Sequence, residues 1–187
     1  MAEQLDMTNG NALLGFLVME KTPSDDGFIA ALMVTDNRGY PLEFRATTPV
    51  KPSLVQRTLY GAQLEHYIGV ELCGKALVRQ SARKPKVLLV SDSSLLDLAH
   101  EVDVDLVALW RAGGTMRTDP ATSSTKRGTI TTESSSLVYE ARCSGPETEP
   151  ATIAHLQGCA GRFDLPEAFD RMRTALTSLA KEDQRFA

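Results

Sequence analysis

The sequence predicts a single α/β domain, built on a mixed sheet of about five strands and ending in an amphipathic helix. Three observations lead to this fold class. A hairpin pattern occupies residues 28–50, a helical period follows in 51–80, and short apolar runs at 86–90 and 105–111 flank a capped helix. The chain has 187 residues, which is long enough to bury one core of this kind.

The hairpin is the clearest element of the prediction. Residues 28–35 are almost continuously apolar, as expected of a strand that is buried on both faces. Residues 36–39 supply Asx side chains and a glycine, which favour a turn. The next strand alternates between an apolar and a polar set, namely Leu42, Phe44 and Ala46 against Glu43, Arg45 and Thr47. We therefore expect one buried face, and one wet face that carries Glu43 and Arg45.

The flanking segments complete the predicted core at 13–112. The apolar run at 13–21 predicts a first strand, and residues 51–80 predict one long helix, because their apolar side chains recur at helical spacing. Residues 86–90 predict a short buried strand. The oxygen-bearing side chains at 91–94 would cap a helix over 95–101, and 105–111 predicts another buried strand.

The remaining segments differ from the core in composition. Residues 1–12 are polar, and we expect a flexible N-terminus. In 115–136, twelve of twenty-two positions are Ser or Thr, which predicts a mobile loop or linker. Residues 137–182 are expected to pack on the core as a strand and a helix. Asp164 and Glu167 have the capping-box spacing at the start of that helix.

Composition narrows the function classes. The net charge of −4 argues against a general binder of nucleic-acid backbones, although a local basic patch remains compatible with it. The three cysteines are widely spaced, and the N-terminus has no basic leader, which predicts reduced thiols and a cytoplasmic location. No apolar run is long enough for a membrane span. We expect no metal and no cofactor.

The predicted element order, β-β-β-α-β-α-β, resembles that of the ribonuclease H-like scaffold. The resemblance implies carboxylates that converge on Mg²⁺ or Mn²⁺. The candidates are Glu20, Asp92 and either Glu65 or Glu71 on the long helix, with Glu20, Glu71 and Asp92 as the predicted set. The first strand has no acid at its middle, and Asp92 also fits a helix cap. A metal-dependent nucleic-acid-processing enzyme is therefore the alternative function.

The leading prediction is a non-catalytic interaction or accessory subunit of an intracellular protein complex. The chain has no Gly-rich phosphate loop and no GxSxG motif, and its histidines have no recognisable nucleophile beside them. A basic cluster at 79–86 is either a solvated connector or a docking patch. A protein partner is expected, self-association is left open, and nucleic acid is disfavoured. The predicted contact residues are Glu43, Arg45, Arg79, Arg83 and Lys84.

Overall fold

The computed structural model describes residues 12–24, 26–114, 125–133, 135–145 and 147–186, which form one seven-stranded mixed sheet with helices on both faces. The strands are β1 Leu14–Lys21, β2 Phe28–Thr35, β3 Pro41–Ala46, β4 Val87–Val90, β5 Asp105–Arg111, β6 Lys126–Thr131 and β7 Ser136–Arg142. Their order is β3-β2-β1-β4-β5-β7-β6. The neighbours β1, β4 and β5 run parallel, and all other pairings are antiparallel. The mixed α/β class is confirmed.

The predicted count of about five strands is wrong: β7 joins the same sheet, and β6 lies inside the Ser/Thr-rich segment. Threonine is β-branched and favours strands, and Ile130 is buried between two exposed threonines. The composition of 115–136 therefore concealed a short alternating strand. Residues 1–11 and 115–124, where we expected a flexible N-terminus and a mobile loop, lie outside the described residues.

The predicted single helix over 51–80 is instead a series of short helical segments. These are α1 Leu54–Tyr60, a 3₁₀ turn Gly61–Gln63, α2 Leu64–Tyr67, a π-helical segment Ile68–Gly74 and α3 Lys75–Gln80. Gly61 has φ +50°, which ends α1. A Cβ at Gly69 would lie 2.9 Å from Leu95 Cδ2. Glycine at this position therefore lets the π-helical segment pack closely against residues 93–100.

The second half of the chain adds two helices and a 3₁₀ helix. Residues 93–100 form a 3₁₀ helix where an α-helix was expected, and α4 (Thr148–Ala160) is an additional helix within 137–182, where only one was expected. The predicted amphipathic helix is present as α5 (Leu165–Phe186), and the Asp164 carboxylate before it pairs with Arg111. In the described part of the chain, no helix is both long and apolar enough to span a membrane.

Two apolar layers enclose the sheet. On one face, β1 directs Leu14, Phe16 and Val18 toward α4 and α5. On the other face, Leu17 packs with the π-helical segment and the 3₁₀ helix. Strands β1 and β4 are therefore buried on both sides, which explains their continuous apolar sequences.

The edge strand β3 is covered less than the alternation suggested. Leu42 and Phe44 are each 40% exposed, whereas the Glu43 side chain is only 12% exposed. The expected buried face is thus the more open one, because α5 packs mainly on β1, β2 and β5 and covers β3 only in part.

We predict that Phe16→Ala lowers the free energy of unfolding by about 3–5 kcal/mol. The ring is fully buried and packs edge-on against Phe163 and Phe169, at centroid distances of 6.5 and 5.5 Å. Tyr40→Ala, at a residue 65% exposed, is the matched control and should change stability little. Urea denaturation followed by Trp110 fluorescence measures both. Equal losses for the two variants would contradict this assignment of the core.

Candidate functional site

A cleft of about 640 Å³ lies where β1 and β4 end, between α2 and α5. Crevices at the carboxyl ends of parallel strands are common ligand sites in α/β sheets. Polar side chains dominate the lining, and Met19, Phe28 and Leu95 add apolar surface. The polar lining comprises Glu20, Lys21, Glu65, His66, Ser91, Asp92, Ser94 and Arg173.

The cleft brings together two of the three predicted metal ligands. Glu20 and Asp92 both line it, together with the alternative candidate Glu65. Glu71 does not line it, and its carboxylate pairs instead with Lys75 Nζ at 3.3 Å. The predicted set Glu20, Glu71 and Asp92 is therefore not gathered around this cleft.

Each acid of the cleft already has a partner within the chain. Glu20 Oε1 accepts from Arg173 Nε at 2.7 Å, and Glu65 pairs with Lys21 at 3.3 Å. Asp92 Oδ1 accepts from the Ser94 N–H at 2.9 Å, so Asp92 caps the 3₁₀ helix. Among the residues that the structure describes, no three His, Cys, Asp or Glu side chains are grouped to hold a metal ion.

A histidine of the cleft belongs to a partly exposed polar network that sequence reasoning missed. His66 Nε2 lies 2.9 Å from Asp97 Oδ2, and Arg142 Nη1 donates to Asp97 Oδ1 at 2.6 Å. Burial acts to raise the pKa of Asp97, but the hydrogen bonds from His66 and Arg142 outweigh it and lower the pKa. These residues are 31 and 45 positions apart, so no local spacing pattern could have revealed the chain.

The cysteines lie away from the cleft lining. Cys73 and Cys159 are buried, and Cys143 is half-buried. Burial raises the pKa of Cys143 to about 12, with the nearby Asp105 charge as a further cause, and burial raises the pKa of Cys159 to about 11. Both groups are therefore thiols, not thiolates, at neutral pH.

On the wet face of β3, Glu43 fastens the end of α3 to the sheet edge. Its carboxylate accepts from Arg45 Nε, from the hydroxyl of Ser81 at 3.1 Å, and from the N–H groups of Ala82 at 3.1 Å and Arg83 at 2.9 Å. The bond from Arg45, with those from the other donors, lowers the pKa of Glu43 to about 2. Of the two predicted contact residues here, Arg45 is the more accessible, with a side chain 40% exposed.

The basic cluster at 79–86 lies at the carboxyl end of α3. Lys84 Nζ donates to the carbonyls of Val78 and Arg79 at 3.3 and 3.2 Å, which satisfies the last turn of the helix. Arg79 Nη2 donates to the Glu101 carbonyl at 3.3 Å. The N–H of Arg83 bonds Glu43, as described above. These predicted contact residues thus form local bonds within the chain.

The helix α1 is the most exposed apolar element. Leu54, Val55 and Leu59 are 79%, 65% and 77% exposed, and no residue of α1 is buried. A capping box between Ser53 and Gln56 stabilises its first turn. Sequence reasoning missed this surface because it assigned 51–80 to one packed helix, whereas the break at Gly61 leaves α1 outside the core.

Comparison with known proteins shows low overall similarity. No protein-family model and no curated protein matches the chain. The structure is similar to that of a protein of unknown function from Archaeoglobus fulgidus, with 13% identity, 75% of this chain and 84% of that chain covered, and a TM-score of 0.41. It is also similar to part of Marinitoga piezophila Argonaute in complex with 5′ OH guide RNA, with 11% identity and a TM-score of 0.39.

That second match covers 80% of this chain and 26% of the Argonaute chain. The same Argonaute with guide RNA and target DNA matches at 11% identity, with 78% and 25% of the two chains covered and a TM-score of 0.35. The chain therefore spans about a quarter of the length of these Argonaute chains.

We predict that the stabilisation contributed by Glu43 is lost in acid. The folded-state pKa of Glu43 lies below its ordinary value of 4.5, so the stabilisation is complete above pH 4.5 and disappears as the pH falls toward 2. At pH 7, Glu43→Gln should lower the free energy of unfolding by about 1–2 kcal/mol. At pH 3 the difference between wild type and variant should be clearly smaller.

Denaturation curves at pH 7 and pH 3 measure this difference. Glu71→Gln is the matched control, since that carboxylate is exposed and pairs with Lys75. A difference for Glu43→Gln that stays constant between the two pH values would contradict the role given to Glu43.

Proposed function

We propose that this protein is a non-catalytic interaction subunit of a protein complex, and that α1 is its main docking element. The observation that carries the proposal is the exposure of Leu54, Val55 and Leu59 on one short helix. Leaving such side chains in water forgoes about 1.5–3 kcal/mol each relative to burial. Val55 and Leu59 lie one helical turn apart and Leu54 directly precedes Val55, and such a cluster of exposed apolar side chains on one element is typical of a binding site.

The size of α1 indicates what sort of partner surface it fits. Its seven residues give a helix about 10 Å long, with side chains exposed around its circumference. A flat contact with so small an element would fall well short of the roughly 800 Å² per partner that stable interfaces bury. A concave apolar groove would surround the helix and bury more of it. The proposed partner is therefore a protein that presents such a groove, which is the helix-in-groove mode of recognition.

The structure of the rest of α1 suits this role. Thr58 Oγ1 donates to the Leu54 carbonyl at 2.9 Å, so its polar atom is satisfied within the helix. Arg57 donates through Nε to the Pro52 carbonyl at 3.3 Å, and through its Nη2 to the Asp26 carbonyl, which ties α1 to the body of the protein. A partner would meet a helix that is already formed and attached, so binding would cost little ordering entropy.

We expect the double substitution Leu54→Asp/Leu59→Gln to abolish partner binding without unfolding the protein. Both side chains are exposed, so stability should change by less than about 0.5 kcal/mol. The partner would be captured from native lysate, identified by mass spectrometry and purified. Its dissociation constant should rise at least about a hundredfold with the variant, as measured by isothermal titration calorimetry.

Leu179→Gln provides the matched control, because Leu179 is an exposed leucine on a different helix. The control should bind the partner as the wild type does. Equal affinity of the wild type and the α1 variant for the captured protein would contradict the proposed docking role of α1.

One observation favours a second candidate function, a metal-dependent nucleic-acid-processing enzyme on a ribonuclease H-like scaffold. Glu20 and Asp92 line the same cleft. The chain order of three strands, a helical segment, β4, a 3₁₀ helix and β5 supports that scaffold as well. For Glu20 to bind a cation, its carboxylate would have to leave Arg173.

This alternative predicts cleavage of nucleic acid by the purified protein with Mg²⁺ or Mn²⁺. Asp92→Ala should abolish the cleavage, whereas Glu71→Ala, which changes an acid outside the cleft lining, should leave it unchanged. Cleavage that survives Asp92→Ala would exclude this assignment of the site.

A further inference from the structure

The outer edge of β3 carries main-chain groups that point away from the sheet. Among the strands of the described residues, β3 is the last of the sheet and has β2 on one side only. The N–H of Thr47, directly after β3, donates to a β2 carbonyl at 2.9 Å. Because these directions alternate along a strand, Glu43 and Arg45 also direct their main-chain groups at β2. Phe44 and Ala46 therefore present their N–H and C=O groups outward.

This edge is regular around Phe44, the residue at the centre of the pairing considered below. The β2–β3 register is unbroken from Glu43 to Ala46, and the irregularity lies at the Pro41 end of the strand. Exposed regular edges are templates for another strand, and proteins commonly block them when no pairing is intended. The geometry of the edge thus specifies an extended strand as its occupant, since only a strand can bond alternate residues along it.

The side chains of β3 are complementary to a second copy of the same strand. In an antiparallel pair with its two-fold axis at Phe44, Phe44 faces Phe44 of the second copy. Leu42, which lies in the register irregularity between Pro41 and Glu43, then comes beside Ala46 of the second copy, so apolar side chains of both strands meet on this face. On the other face each Arg45, which pairs with Glu43 of its own chain, lies beside Glu43 of the second copy, so unlike charges meet on both sides of the axis.

Charge selects this register over its neighbours. Shifting the axis to Glu43 would place two glutamates opposite each other, and shifting it to Arg45 would place two arginines opposite each other. Like charges directly opposite are destabilising in an antiparallel pair. The register at Phe44 also lets the outward N–H and C=O groups of Phe44 bond those of the second copy in both directions.

Apolar side chains of β3 beside this edge are partly exposed to solvent. Leu42 and Phe44 are each 40% exposed on the face that α5 leaves open. A second copy of β3 would place an identical apolar strip against them. Side-chain and main-chain requirements are therefore met by the same partner.

We propose that the protein forms a two-fold symmetric dimer in which the β3 strands of two copies pair antiparallel about Phe44 and join the two sheets into one. This surface is separate from the α1 surface and remains testable if the docking role of α1 fails. A single strand pair buries less than a standard interface of roughly 800 Å² per partner, so the dimer is reversible and depends on concentration.

Cysteine cross-linking tests the register. In a Phe44→Cys variant the two new thiols would lie on residues with Cα atoms about 5.5 Å apart, within the range for a disulfide. Mild oxidation should convert most of this variant to a covalent dimer. Thr129→Cys, an exposed position on the opposite edge strand β6, is the matched control and should cross-link several-fold less. The wild type controls for the native cysteines.

A second pair of variants distinguishes this register from other contacts. Leu42→Cys alone should not cross-link, because Leu42 faces Ala46 of the second copy, but a mixture of Leu42→Cys with Ala46→Cys should. Light scattering should also show that the wild type dimerises with rising concentration, that Phe44→Lys stays monomeric and that Tyr40→Lys behaves as the wild type does. Circular dichroism verifies the fold of each variant.

Several outcomes would overturn the proposed dimer. One is a wild type that stays monomeric at every concentration. Another is Phe44→Cys that cross-links no better than Thr129→Cys, as expected if a different protein or another segment of this chain covers β3. A third is Leu42→Cys that cross-links to itself as readily as Phe44→Cys, which would mean a different register or a non-specific contact.

Discussion

The central strands β1 and β4 expose neither face to solvent. Both faces must be covered by helices, and the rest of the fold follows from this constraint. β1 and β4 direct apolar residues alternately to two cores. One core is closed by α4 and α5, and the other by the segments between β3 and β5. Each Å² of apolar surface that is buried stabilises the folded state by about 25 cal/mol. Because these strands bury apolar side chains on both faces, they are a main source of stability.

The same constraint explains which surfaces stay open. Cover is concentrated over the middle of the sheet, so the edge strand β3 keeps Leu42 and Phe44 partly exposed. The helix α1 begins soon after β3 and ends at Gly61, before the chain turns onto the sheet with Leu64. Most of the exposed large apolar side chains therefore lie in two neighbouring stretches of the chain, 40–44 and 54–60, and both lie at the margin of the covered region.

The cleft differs from these apolar surfaces because it is lined by paired charges. Arg173 reaches Glu20 from α5, Lys21 pairs with Glu65, and Asp92 caps the 3₁₀ helix. Opposite charges therefore meet across the cleft, and its carboxylates contribute to the junction between helices and strands. The apolar side chains of α1 and of β3, by contrast, are substantially exposed to solvent, which is why we assign interaction to them.

Sequence patterns predicted the elements whose signal is local and missed those that depend on distant contacts. Burial is visible directly in the apolar runs of β2 and β4 and in the periodic apolar positions of α5. These elements were therefore predictable from the sequence. The strand β6 was hidden by its Ser/Thr composition, and α1 was hidden because a helical period cannot show where a helix leaves the core. The pairing of His66 with Asp97 depends on the fold, which brings together residues 31 positions apart.

Hydrogen–deuterium exchange of the protein alone and in its purified native complex tests the central claim most directly. We expect new protection at residues 54–60 in the complex, because a partner groove would exclude water from α1. Unchanged exchange at 54–60, with protection confined to the cleft segments at 19–21 and 91–95, would contradict α1 as the docking element.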